Sequence, residues 1–263
     1  MDTAFGAIHP LYSLAGVLVG LLVGLTGVGG GSLMTPLLVL LFGFHPATAV
    51  GTDLLYASAT KLVGTGVHGR RGTVDWRIVA LLGAGSLPAS LLSLIALDHF
   101  GPQSKETNAI ISAALGVTLV LTAVSLFFRR PLVAWLTRVV GVPEGRRLAV
   151  WTVLLGVILG AMVTMTSVGA GALGMTVLLV LYPAHPVVRL VGSDIAHAVP
   201  LTLVAGLGHL ALGTVDVGLL VSLLLGSVPG IIAGSLIGTR VRDGVLTPIL
   251  AATLLIVGVR MLL

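Results

Sequence analysis

Asp53, Asp194 and Lys61 each lie inside a long apolar run, in a chain of 263 residues of which only 9% are charged. A carboxylate or ammonium embedded in a membrane costs on the order of 3 kcal/mol on insertion scales and is functional by default. The aspartates are candidates for a gating or proton-carrying carboxylate, against the plainer reading of a helix-helix hydrogen bond or a helix-start residue favoured by the dipole. Lys61 is either a cation that attracts an anion or pairs with an aspartate across helices, or a side chain that snorkels to the interface. It lies eight residues after Asp53, about 12 Å along a helix, so the two are not helical neighbours. His197 follows Asp194 by three residues and shares its helix face. An Asp-His pair there relays protons or forms a satisfied polar contact.

The second set of candidates is backbone. Thr26-Gly27-Val28-Gly29-Gly30-Gly31-Ser32 separates two apolar runs, 11–25 and 33–44, each shorter than the roughly 20 residues a spanning helix needs. Glycines in a row do not hold a helix, so their amides are left free of helical partners. Inside lipid such a break is tolerated only where protein or a polar cavity surrounds it. Close helix packing explains Gly and Ala spaced along residues 14–24, but not three consecutive glycines. A broken helix that opens onto a helix start offers amides to an anion. The amides of Gly27, Gly29, Gly30 and Gly31, with the hydroxyls of Thr26 and Ser32, then replace water around a small anion without fixed charge. Such weak neutral ligation suits a protein that must release what it binds.

Composition decides where these groups sit. The chain is 56% hydrophobic with a mean hydropathy of +1.14, against about 25% charged residues in an ordinary soluble domain. That is the composition of a polytopic helical membrane protein. The pI of about 10.4 does not point to nucleic acid, because the arginines stand between apolar segments rather than among aromatics. With no cysteine there is no disulfide, thiolate metal site or thiol nucleophile. Residues 1–10 lack a basic region ahead of the first apolar run, so a cleavable leader is not expected.

The apolar stretches expected as helices run over residues 47–66, 78–97 and 107–128 after the broken pair. The segment 129–147 contains five arginines and is the longest polar gap. It reads as a linker between a first repeat, 1–128, and a second, 148–263. Thr26-Gly27-Val28-Gly29-Gly30-Gly31 matches Thr166-Ser167-Val168-Gly169-Ala170-Gly171 at an offset of 140, and His45-Pro46 matches His185-Pro186. After one inserted residue the offset is 141: Gly51-Thr52-Asp53 matches Gly192-Ser193-Asp194, His68 matches His209, Gly72-Thr73-Val74-Asp75 matches Gly213-Thr214-Val215-Asp216, and Gly85-Ser86-Leu87-Pro88 matches Gly226-Ser227-Val228-Pro229. The chain is an internal duplication. Thr166, Ser167, Gly169 and Gly171 thereby join the substrate-binding candidates. His68 and His209 recur at helix ends, which argues for capping or gating over simple interfacial placement. Asp75 and Asp216 read as helix caps.

Basic residues set the orientation. With the loop after His68 and the 129–147 linker cytoplasmic, and each broken segment returning the chain to its starting side, 11 of the 14 Lys and Arg are cytoplasmic. The fold class expected is an all-α polytopic membrane protein of two inverted-topology repeats. Each is a broken or re-entrant helix pair plus about three transmembrane helices, and both termini lie outside. Broken helices at equivalent places in two halves mark a central transport site.

Gly27-Val28-Gly29-Gly30-Gly31 followed by Pro36, His45-Pro46, Val50-Gly51-Thr52 and the 68–76 segment ending Gly72-Thr73-Val74-Asp75-Trp76 resembles the sulfite exporter TauE/SafE family. The second half resembles that family's second half more weakly, and the likeness spans nearly the whole chain. It implies a bacterial inner-membrane transporter exporting sulfite, sulfoacetate or related sulfur-containing anions. The chain departs from the family pattern at Asp53 and Asp194, where many members carry serine or another neutral residue; acidity beside an anion path changes the substrate or adds proton coupling.

The leading expectation is therefore a secondary transporter of a small anion working by alternating access. Its partners are the anion, the lipid bilayer and protons, with a homo-oligomer left open and no nucleic acid, cofactor, metal site or catalytic residue. No phosphate-loop signature is present to hydrolyse ATP. A passive channel or an anion sensor is the alternative. An aspartyl dyad of Asp53 and Asp194 is disfavoured, since the preceding Gly51-Thr52 and Gly192-Ser193 do not match the Gly-x-Gly-Asp of intramembrane aspartyl proteases and inversion separates the two acids.

Overall fold

The computed structural model describes residues 9–26, 31–238 and 243–263. Within them the chain is helical: α1 (Pro10–Thr26), α2 (Gly31–Leu40), α3 (Pro46–Arg70), α4 (Trp76–Phe100), α5 (Lys105–Phe127), α6 (Arg129–Val140), α7 (Gly145–Thr166), α8 (Ala172–Leu181), α9 (Val187–Ala211), α10 (Val217–Gly238) and α11 (Asp243–Leu262). Five of them, α4, α5, α7, α9 and α10, are long and apolar enough to cross a bilayer. Their exteriors expose Leu91, Leu92, Ile95, Ile158, Leu207 and Ile232, side chains whose solvent is lipid. The protein is a multi-pass membrane protein. Five helices precede α6 and five follow it, in the same order of one long, one short and three long.

Helices end where the sequence supplies the device. Asp75 Oδ1 accepts from the amides of Arg77 and Ile78 at 3.0 and 3.3 Å and caps α4. Asp216 Oδ1 accepts from Leu219 N at 2.9 Å ahead of α10. Gly72 and Gly213 follow α3 and α9 at φ 63° and 71°, left-handed backbone that costs glycine little. These caps carry α3 and α4 a few residues past the apolar windows 47–66 and 78–97. The polar segment 129–147 is itself mostly helical, containing α6 and the first turn of α7.

Small residues set how closely the helices meet. A Cβ on Gly16 or Gly20 of α1 would strike the backbone of Leu223 or Ser227 on α10, and one on Gly156 or Gly160 of α7 would strike Leu82 or Ser86 on α4. So α1 runs beside α10 as α7 runs beside α4, each pair in ascending register, with one member from each half. At the centre, α3 and α9 run antiparallel, because the start of each packs on the turn that ends the other. A Cβ on Gly51 would come within 2.5 Å of Thr214 O and 2.9 Å of His209 Cβ, and one on Gly192 would strike Thr73 O and come within 3.2 Å of His68 Nδ1.

The short helix α8 folds back along α7. Tyr182 Oη lies 2.8 Å from Thr152 Oγ1, and Gly174 packs on Leu159. Ten residues are about 15 Å of helix, half of the roughly 30 Å hydrocarbon core. The pair is a hairpin whose tip, residues 167–171, lies inside the protein.

Candidate functional site

The hairpin tip is shaped by Ser167, in left-handed backbone at φ 58°, and Gly169, at φ 121°. Thr166 Oγ1 accepts from Val168 N at 3.2 Å and closes the first turn of the loop. Thr166, Ser167, Val168 and Ala170 are all buried. No side chain caps the N-terminus of α8 after Gly171; Gly174 N donates to Gly169 O at 3.1 Å, which leaves the amides of Ala172 and Leu173 at the positive end of the helix dipole. In the first half, Gly27, Gly29 and Gly30 lie outside the described residues. Thr26 ends α1, and Gly31 and Ser32 begin α2.

Asp53 lies in α3, wholly buried. Its Oδ2 accepts from Thr35 Oγ1 of α2 at 2.5 Å, and the Ser167 hydroxyl of the opposite half's hairpin tip stands beside it. A donor from its own half and the broken loop of the other thus meet at one carboxylate. Asp194 in α9 is 5% exposed. Its Oδ1 faces α8, 3.1 Å from where a Cβ on Gly174 would stand. Lys61, partly buried on α3, acts electrostatically on Asp53, Asp194 and His197. It lies within 4.0 Å of none of their charged atoms; among the described residues the acid–base side-chain contact at that range is His185 Nε2 with Asp75 Oδ2, at 3.7 Å.

His197 is fully buried and turns to α4, its Nε2 lying 2.8 Å from Ser86 Oγ. Tyr56, its counterpart on α3, is equally buried and stands beside Ser227 of α10, the counterpart of Ser86. Five buried polar atoms in this cluster have no hydrogen-bond partner: Asp53 Oδ1, Tyr56 Oη, Ser167 Oγ, Asp194 Oδ1 and His197 Nδ1. Unpaired buried groups cost about 1–3 kcal/mol each. Ser86→Ala removes the partner of His197 and adds one more unpaired nitrogen. We expect it to lower thermal stability by the equivalent of about 1–3 kcal/mol, read as a drop in the melting temperature of detergent-solubilised protein, whereas Ser86→Thr retains the hydroxyl and most of the stability.

The two remaining candidate histidines, His68 and His209, build a matched pair of latches. His68 Nδ1 lies 2.9 Å from Thr73 Oγ1 and His209 Nδ1 lies 2.8 Å from Thr214 Oγ1. Each turn then grips the residue preceding an aspartate in the other half. Asp75 N donates to Ser193 Oγ at 2.8 Å, and Asp216 N donates to Thr52 Oγ1 at 3.1 Å. The latches differ in one respect. His209 is 1% exposed and its Nε2–H donates to Thr164 O near the end of α7 at 3.0 Å, a tie that His68 lacks among the described residues. On the His68 side a cleft of about 190 Å³ is open between α4, the base of the α7–α8 hairpin and the turn after it, lined by Asp75, Arg77, Tyr182 and His185.

The structure therefore places Ser167 beside Asp53 and Lys61 within electrostatic reach of Asp53, Asp194 and His197, and leaves His68 and His209 at the two latches. Thr35, Tyr56 and Ser86 were not among the residues singled out from sequence. The last two carried a signal, since the 141-residue offset pairs Tyr56 with His197 and Ser86 with Ser227. Thr35 carried one too, since Met34-Thr35 matches Met175-Thr176 at that offset, although Thr176 Oγ1 lies 2.7 Å from Ser125 Oγ and not beside a carboxylate.

The family described as "Sulfite exporter TauE/SafE" matches residues 12–261. The chain is 40% identical over 253 residues to the probable membrane transporter protein YjnA of Bacillus subtilis, covering 95% of this chain and 98% of that protein. It is 27% identical to the probable membrane transporter protein YdhB of the same organism, over 83% and 85% of the two chains. A probable membrane transporter protein of Methanocaldococcus jannaschii is 24% identical over 79% of this chain and 74% of its own length. No solved structure matches the chain.

Proposed function

The chain belongs to the sulfite exporter TauE/SafE family of membrane transporters, and from that premise we propose that it is a secondary transporter. It exports a small sulfur-containing anion, sulfite, sulfoacetate or a related organosulfonate, across the bacterial inner membrane by alternating access coupled to protons. The observation that carries this reading is the cluster of unpartnered buried polar atoms where α3 and α9 meet the α7–α8 hairpin tip. An anion at this point meets the Ser167 hydroxyl, the amides of Ala172 and Leu173 at the start of α8 and the Lys61 charge. Asp53 and Asp194 stand against it, so uptake of a proton by a carboxylate is the event that makes the site hospitable to negative charge.

Alternating access needs two gates of similar construction. The antiparallel α3 and α9, and the exchange of equivalent contacts between halves, support inverted-topology repeats over 1–128 and 148–263 joined by 129–147. They also support two latches on opposite faces, each made of one half's histidine turn and the other half's glycine-rich helix start. We assign the His68 side and the arginine-rich linker to the cytoplasm and both termini to the outside, as the distribution of arginines favours. The buried His209 latch and the open cleft beside Asp75 then describe a carrier closed outward and accessible from the cytoplasm. The Thr26–Ser32 stretch, whose residues 27–30 lie outside the described residues, is the counterpart of the hairpin tip in sequence and supplies the remaining candidate ligands.

Counterflow in proteoliposomes tests the carrier cycle. Vesicles preloaded with unlabelled sulfite are expected to take up labelled sulfite faster than empty ones. Equal rates under both conditions describe a channel and would sink alternating access.

A further inference from the structure

Arg129 stands at the first position of α6, directly after the end of α5, where arginine in a polar linker would ordinarily point to water. It does not do so fully. Its Nε is buried and has no hydrogen-bond partner, and its charge acts on Asp194 although the two form no ion pair within 4.0 Å. Asp194 Oδ1, on the facing side, is also buried and unpartnered. The helix that carries Arg129 packs on α8, whose Gly174 lies against that same carboxylate oxygen. A buried guanidinium N–H and a buried carboxylate oxygen thus share one region without satisfying each other.

We propose that Arg129 is a direct ligand of the transported anion on the linker side of the central site, taking a two-oxygen edge of a sulfite or sulfonate group on its Nε side. The inference rests on the transporter reading above and names a second cation, beside Lys61, for the same site. The guanidinium edge offers parallel N–H donors in a planar fork that matches two oxygens of one anionic group, which an ammonium does not. The arriving anion competes with Asp194 for this cation, so the linker helix feels whether the site is filled.

A purely structural Arg129 would only neutralise Asp194, and the two roles separate in a double substitution. Sulfite counterflow and the sulfite-induced rise in melting temperature are measured for wild type, Arg129→Gln, Arg129→Lys, Asp194→Asn and the Arg129→Gln/Asp194→Asn pair. We expect Arg129→Gln to raise the sulfite KM at least about tenfold, in line with the loss of a charged hydrogen bond, and to abolish the thermal shift. Arg129→Lys should recover the affinity only in part. The double variant should retain the raised KM, because Asp194→Asn removes the competing carboxylate but its neutral amide does not replace the charged two-donor edge of Arg129. An unchanged KM in Arg129→Gln, or full recovery in the double variant, overturns the assignment while leaving sulfite transport standing; if Arg129→Gln does not fold, wild-type affinity in Arg129→Lys overturns it equally. A wild-type protein that neither moves nor is stabilised by sulfite, sulfoacetate or sulfate overturns the transporter reading and this inference together.

Discussion

Asp53→Asn is expected to abolish proton-driven flux, or to leave a residual flux that no longer varies with pH, while the protein still purifies as a folded species. Asp53 is the wholly buried carboxylate that touches both halves, through Thr35 of α2 and the Ser167 tip of the opposite hairpin. Asparagine keeps the size of the side chain and its ability to accept from Thr35, so packing is preserved. It removes only the capacity to bind and release a proton. The loss expected is at least about tenfold in the coupled rate, equivalent to 1.4 kcal/mol or more, with the melting temperature near that of wild type. Flux assayed across a range of internal pH checks it. Wild-type rate and wild-type pH dependence in Asp53→Asn would remove the proton-carrier role from this residue.

The second large effect belongs to Gly192. A single methyl there falls on the carbonyl oxygen of Thr73, a backbone atom that has no rotamer to yield, and pushes α9 away from the His68 turn. Over-packing of this kind costs about 1–3 kcal/mol. It also draws Ser193 Oγ away from Asp75 N and so displaces Asp194, the next residue. Gly192→Ala should therefore lower the melting temperature and the transport rate together. Gly83→Ala provides the control. That position has open space around it, and alanine in a helix interior is favoured over glycine by roughly 0.5–1 kcal/mol, so stability should hold or rise. Equal behaviour of the two variants would mean that the close contact between α9 and the turn at Thr73 is not what holds the halves together.

Much of this arrangement was legible in the sequence because its signals are local or periodic. Apolar run lengths gave the helices, and the glycine-rich breaks gave the short α2 and α8. The in-register pairs Asp53 with Asp194 and His68 with His209 flagged the positions that the folded chain uses as buried acids and latches. What stayed hidden was partnership. Helical spacing placed His197 on the face of Asp194, yet its ring bonds to Ser86 on α4, a choice made by the packing of two helices 111 residues apart. The latches were hidden for the same reason. Gly51 and Gly192 look like ordinary small-residue packing positions until each is seen against the opposite half's turn. Arg129 read as one of five linker arginines, because nothing in its neighbours says that its Nε turns inward. The 129–147 segment read as a polar gap, although Arg130 and Arg138 on one side of a helical turn pattern with Leu132, Val133, Leu136 and Val139 on another are compatible with the amphipathic helix that forms there.

Sulfite, sulfoacetate and sulfate flux into proteoliposomes, measured with and without an imposed pH gradient, tests the central claim most directly. The account predicts selective movement of a reduced or organic sulfur anion against its own gradient, driven by the proton gradient and lost in Asp53→Asn. Movement that only follows the anion gradient and ignores pH, or movement of none of the three anions under any gradient, would contradict it.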